Sequence, residues 1–353
     1  MIAPMGKRND RRNRSSLYDP FDAMTFTNDK CFLCGCRLAN QTTAEHVFPR
    51  WVQREYHLAD KKITLLNRTS IPYRQLTVPC CRDCNGKYLS NVENTFKQHF
   101  QSGFPAFKSL DELVIYQWIA KIFYGLLFKE LSLKLDRSHP SRGFIMDSES
   151  LKRLKTLHMF LQSVRTPIEF AGFRPWSIFV VQTLTYGDER DFDYYDEFLN
   201  LTFSIRMGEI GILACLQDNG AQQELFHDYY KRFEGLKLHP RQFDELYAKL
   251  LYKASLLNRV PKYMMVQPSG KRQGITVVSP SLQGYSRAPI YNDWNQRTYA
   301  KILAWVWGRY GIRFRDIFKK PDMVFSCLFN EDGALNVLDT NGNPIGARIT
   351  EPA

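Results

Sequence analysis

Six of the eight cysteines in the chain fall between residues 31 and 84, and two pairs among them share a two-residue spacer, Cys31-Phe-Leu-Cys34 and Cys81-Arg-Asp-Cys84. Each pair offers two thiolates at a turn, and two such pairs supply the four soft ligands of a tetrahedral Zn²⁺ site. Cys36 and Cys80 are spare, and either can stand in for a neighbour, although Cys80 lacks the spacer that Cys81 and Cys84 keep. Between the pairs lies Ala44-Glu45-His46-Val47-Phe48-Pro49-Arg50-Trp51, and Asn85 follows the second pair directly. These are the groups that phosphodiester hydrolysis needs. A neutral imidazole deprotonates water near pH 7, and oxygen ligands hold a hard cation, Mg²⁺ or Mn²⁺, that neutralises charge on the phosphate and the leaving oxygen. His46 is the candidate base, and Glu45 and Asn85 are the candidate oxygen ligands. Glu93 lies about 80° round a helix from Asn85 and is a further candidate carboxylate. Arg50, Arg82 and Lys87 are candidate phosphate contacts.

The order Cys-x-x-Cys, acidic-His, Cys-x-x-Cys-Asn resembles the zinc-stapled HNH endonucleases of the ββα-metal group, similar to the phage recombination endonucleases that resolve branched DNA. The resemblance runs from Cys31 to Phe100, about a fifth of the chain. It implies that His46 is the general base, that Glu45 and Asn85 help hold a catalytic divalent ion, and that Cys31, Cys34, Cys81 and Cys84 bind structural zinc. Glu45 stands where Asp or His is commoner. The rival reading is a non-catalytic zinc module for nucleic acid or protein partners, with Glu45-His46 as a structural turn. A third is an effector whose second domain holds the nuclease off until a signal arrives, as in defence systems against phage.

The elements that must position these groups follow from periodicity. Thr42 to Val47 reads as a strand end delivering Glu45 and His46, and residues 61–79 as short strand and loop stopped by Pro79. Leu89, Val92, Phe96 and Phe100 recur at helical spacing, so an amphipathic helix starts just past the second cysteine pair and places Asn85 at its N-terminus. Beyond Gly103-Phe104-Pro105 the pattern changes. Helices are expected over Asp111–Leu135, with Asp111 or Ser109 as cap, then Ser148–Val164, Gln222–Phe233, Pro240–Leu257 and Trp294–Tyr310. Strands are expected over Trp176–Tyr186, Ile275–Val278 and a hairpin turning at Met207-Gly208-Glu209. The aromatic and basic residues from Trp305 to Lys320 read as a helix with a solvated charged side.

The expected fold is therefore α+β. A basic disordered tail (1–16) carries Lys7, Arg8, Arg11, Arg12 and Arg14 against Asp10. An HNH module (17–105) follows, then a larger, mainly helical domain with a small antiparallel sheet (106–353). The formal charge of +12 favours an anionic partner, nucleic acid before a membrane surface, and the resemblance implies DNA rather than RNA. The longest apolar stretch, Val114 to Leu135, is interrupted by Gln117, Lys121, Lys129 and Glu130, which excludes a spanning helix. The opening residues lack the apolar core of a signal peptide, so a cytoplasmic, reducing setting is expected, where paired cysteines bind metal.

Overall fold

The computed structural model describes residues 17–22, 26–38, 42–131, 148–266, 274–284, 288–320, 323–330 and 332–345, and the basic stretch 1–16 lies outside them. In chain order these residues form β1 (Thr42–His46), α1 (Arg50–Glu55), β2 (Lys62–Thr64), β3 (Ser70–Pro72) and β4 (Thr77–Cys81). A π-helical turn, Cys84–Leu89, then runs into α2 (Ser90–Gln101), followed by α3 (Phe104–Lys108), α4 (Glu112–Leu131) and α5 (Ser148–Leu161). The next stretch holds β5 (Ile168–Phe170), β6 (Ser177–Thr183), β7 (Phe192–Glu197), β8 (Thr202–Met207), β9 (Ile210–Cys215), α6 (Ala221–Leu225), α7 (His227–Lys231) and β10 (Lys237–Leu238). The chain closes with α8 (Pro240–Leu256), β11 (Met264–Val266), β12 (Ile275–Val278), α9 (Gln296–Val306), α10 (Phe314–Ile317), β13 (Phe318–Lys320) and β14 (Met323–Val324).

The architecture is mixed α+β with several small sheets. The largest has strand order β10-β6-β9-β8-β7, antiparallel except for the β10–β6 pair. Side chains alternate across a strand, and here both faces are buried. Ile210, Ile212 and Ala214 of β9 join the core on one side, and Leu213 and Cys215 join the core under α8 and α9 on the other.

Between this sheet and the cysteine-containing segment runs α4, apolar on nearly every side, as a helix buried all round must be. Asp111 caps it as expected, its Oδ1 accepting the Leu113 N–H at 2.8 Å. On one flank Trp118 stacks on Phe96 of α2, ring centroids 3.9 Å apart, and on another Phe123 meets Phe198 and Phe203. One hydrophobic core consequently passes from residue 31 through α4 to β8 without a break at Gly103-Phe104-Pro105, where Gly103 caps α3 and Phe104-Pro105 open it. The helix expected over Gln222–Phe233 is two short helices, α6 and α7, parted at Phe226 (φ −119°). Among the described residues no helix is long and apolar enough to cross a membrane.

A cysteine cluster beside a Glu-His strand

Strands β1 and β4 pair antiparallel, with Thr42 opposite Cys81 and His46 opposite Thr77. The register carries the second cysteine pair at one end of the ladder and the Glu45-His46 dipeptide at the other. After Cys81 the chain turns straight into helix, so β4 of the β1–β4 pair leads through the π-helical turn into α2. The first cysteine pair docks on β4 through the Phe32 N–H, which donates to Pro79 O at 2.8 Å. Gly35 closes this knuckle at φ +68°, and a Cβ there would lie 2.3 Å from the Tyr18 ring, so the turn requires glycine twice over.

The cysteine sulfurs gather at this junction. Cys31, Cys34, Cys36 and Cys81 lie with their Sγ atoms within 4.8 Å of one another. Cys34 and Cys81 are 3.8 Å apart, and Cys80 approaches Cys31 at 3.9 Å. The Cys84 thiol also engages Cys31, Cys34 and Cys81, and its N–H donates to Cys81 Sγ at 3.4 Å. The close four-sulfur group is thus Cys31, Cys34, Cys36 and Cys81, and Cys84 adjoins three of its members from the start of the π-helical turn. Contact with Cys34 and the neighbouring sulfurs holds the Cys31 thiol below its ordinary value, whereas contact with Cys31 raises that of Cys84. Soft thiols packed this way match the donor set of a zinc site.

At the other end of β1, Glu45 is buried and its carboxylate meets a cation that sequence reading passed over. Lys121, inside α4, places its Nζ 2.6 Å from Glu45 Oε1 and 2.6 Å from Glu93 Oε1, and donates to His46 O at 2.6 Å and Val47 O at 3.3 Å. Burial pushes the Glu45 carboxyl up, with Lys121 opposing. Burial also works against the Lys121 ammonium, but Glu45 and Glu93 outweigh it and hold the proton on. A buried ammonium must find a partner, but the sequence does not say which carboxylate supplies it.

His46 is half-buried, and its imidazole is held below the ordinary histidine value, by burial first and then by Arg50 and Lys121, against the pull of Glu93. It is therefore neutral near pH 7. Asn85 Nδ2 donates to Thr43 Oγ1 at 3.0 Å, and Thr43 Oγ1 donates to Cys80 O at 2.8 Å. Thr43 and Glu45 share one face of β1 by strand alternation, which sets Asn85 on the face that carries Glu45. Glu93 is drawn to Lys121. Arg50 is exposed in the first turn of α1, and Arg82 and Lys87 are exposed around the π-helical turn. Within the C-terminal aromatic and basic stretch, Trp307 is fully buried, and Arg309 pairs with Asp193 and Asp244 over the Tyr195 ring.

No protein-family model, curated protein or solved structure matches the chain.

Proposed function

We propose that the chain is a metal-dependent endonuclease of the HNH type, with His46 as general base in the hydrolysis of a DNA phosphodiester. The observation that carries the reading is the placement of a half-buried imidazole, whose surroundings favour the neutral ring, at the end of β1 and next in sequence to a buried carboxylate, on a strand pair joined to the cysteine cluster at its far end. Cys31, Cys34, Cys81 and Cys84 would hold structural zinc and fix the strand ends. Glu45 of β1 and Asn85, which bonds Thr43 on the same face of that strand, both offer oxygen ligands that suit a hard divalent ion. When bound, such an ion supplies Lewis-acid stabilisation of the phosphate and leaving oxygen. His46 takes the proton of the attacking water, and exposed Arg50, Arg82 and Lys87 hold the flanking phosphates.

One observation favours the rival reading, a zinc module that binds without catalysis: the ion pair with Lys121 gives Glu45 a structural task of its own. A nicking assay on supercoiled plasmid with Mg²⁺ or Mn²⁺ separates the two, with EDTA and His46→Ala as controls. The nuclease reading expects cleavage that needs both the metal and His46, with a loss of at least about a hundredfold in His46→Ala. Zinc content and circular dichroism should stay unchanged in that variant. Tight DNA binding with no cleavage by zinc-loaded protein supports the binding module instead.

A further inference from the structure

The cation between Glu45 and Glu93 belongs to the protein itself. Lys121 Nζ is surrounded by two carboxylate oxygens and two backbone carbonyls, at 2.6, 2.6, 2.6 and 3.3 Å. A set of four oxygens, two of them anionic, is what a hard divalent cation seeks. An ammonium has three protons to share among them, and its apolar stem reaches the position from the interior of α4. We propose that Lys121 is a resident counter-cation, a positioning residue that fills the second cation position of the site, restricts it to one exchangeable divalent ion and withholds Glu93 from that ion. The proposal rests on the reading of Glu45 as a ligand to the catalytic ion, and it goes further by fixing how many ions the site accepts. In the same act Lys121 anchors the carbonyls of His46 and Val47, so the strand end carrying the imidazole is tied to α4 by charge as well as by packing.

The test counts ions and does not depend on turnover. Mn²⁺ binding to the zinc-loaded full chain is followed by electron paramagnetic resonance and calorimetry for wild type, Lys121→Met and Lys121→Met/Glu93→Gln. Methionine keeps length and removes charge. The expected result is one more Mn²⁺ per chain in Lys121→Met than in wild type, lost again in the double variant. A folded, zinc-loaded Lys121→Met with unchanged stoichiometry overturns the proposal, and so does a wild-type chain that already binds two ions. If Lys121→Met does not fold, Glu93→Gln alone decides. Mn²⁺ affinity within about twofold of wild type supports a withheld Glu93, and a loss of tenfold or more overturns it. A gained, Glu93-dependent site in a protein that never cleaves DNA leaves this proposal standing and removes the nuclease reading.

Discussion

Which thiol completes the cluster is decided by single residues. Cys84 is buried at the start of the π-helical turn, and among Cys31, Cys34, Cys81 and Cys84 every thiol engages the other three. Cys36 lies one residue past the Gly35 turn, half-buried, its carbonyl accepting the Cys31 N–H at 2.9 Å, with burial pushing its thiol up to about 11. The close sulfur group holds Cys36, but Cys84 is the more buried of the two and keeps the two-residue spacer to Cys81 that a zinc knuckle uses, which favours it as the fourth ligand. Cys84→Ser is accordingly expected to lose zinc and with it the fold of the N-terminal segment, because structural zinc contributes about 10–16 kcal/mol to small sites. Cys36→Ser should retain one zinc per chain. Metal analysis after gel filtration, read with circular dichroism, checks both, and the opposite pattern would make Cys36 the ligand. The cysteines were legible in the sequence because ligand spacing within a knuckle is local. Lys121 was not, because its partner Glu45 lies far away in sequence and only the packing of α4 brings them together.

At the scale of elements, β8 and β9 were readable as a hairpin, their turn falling at Gly208 with φ +55°. Strand β7 was not, since Phe-Asp-Tyr-Tyr-Asp-Glu carries acidic residues whose partners only the fold reveals: Asp193 meets Arg309, and Glu197 accepts the N–H groups of Leu199 and Asn200 in the turn to β8. Helix α5 was legible, but the task of its last turn was hidden. His158 is fully buried there. Its Nε2–H donates to Phe32 O in the first knuckle at 3.0 Å, and its Nδ1 accepts from Gln162 Nε2 at 3.4 Å, which requires the neutral ring. Burial lowers its pKa to about 4. Because the folded value lies below the ordinary one, the neutral ring's contribution is complete above about pH 6.5. It fades as pH falls towards 4, since the unfolded chain takes up the proton first, and the full loss amounts to about 3 kcal/mol. Urea midpoints of the zinc-loaded protein should fall between pH 7 and 4.5. His158→Gln, which keeps a donor without a titrating ring, should fall less over that range, and equal slopes would remove His158 as the cause.

For the whole molecule, the question is whether the segment carrying the candidate site stands alone. The boundary at Pro105 was read from a change in composition, which records where cysteines stop and apolar helices begin but not which surfaces those helices cover. In the fold α4 is a wall of the site. Trp118 stacks on Phe96, Tyr124 stacks with Phe32 of the first knuckle at 6.0 Å, and Lys121 neutralises Glu45. Gly125 passes so close to Val47 that a Cβ would come within 3.0 Å of its methyl group. Cutting the chain at residue 105 would expose Phe96 and Phe32 and leave Glu45 buried beside Glu93 without a counter-cation, a change worth several kcal/mol even before the lost apolar contacts are counted. The isolated segment 17–105 is therefore expected to bind zinc without unfolding cooperatively, and its amide resonances should be poorly dispersed. A fragment that unfolds in one sharp transition, and cleaves DNA where the full chain does not, would make the remaining residues a removable cover, and α4 would then be a brake on the site instead of part of it.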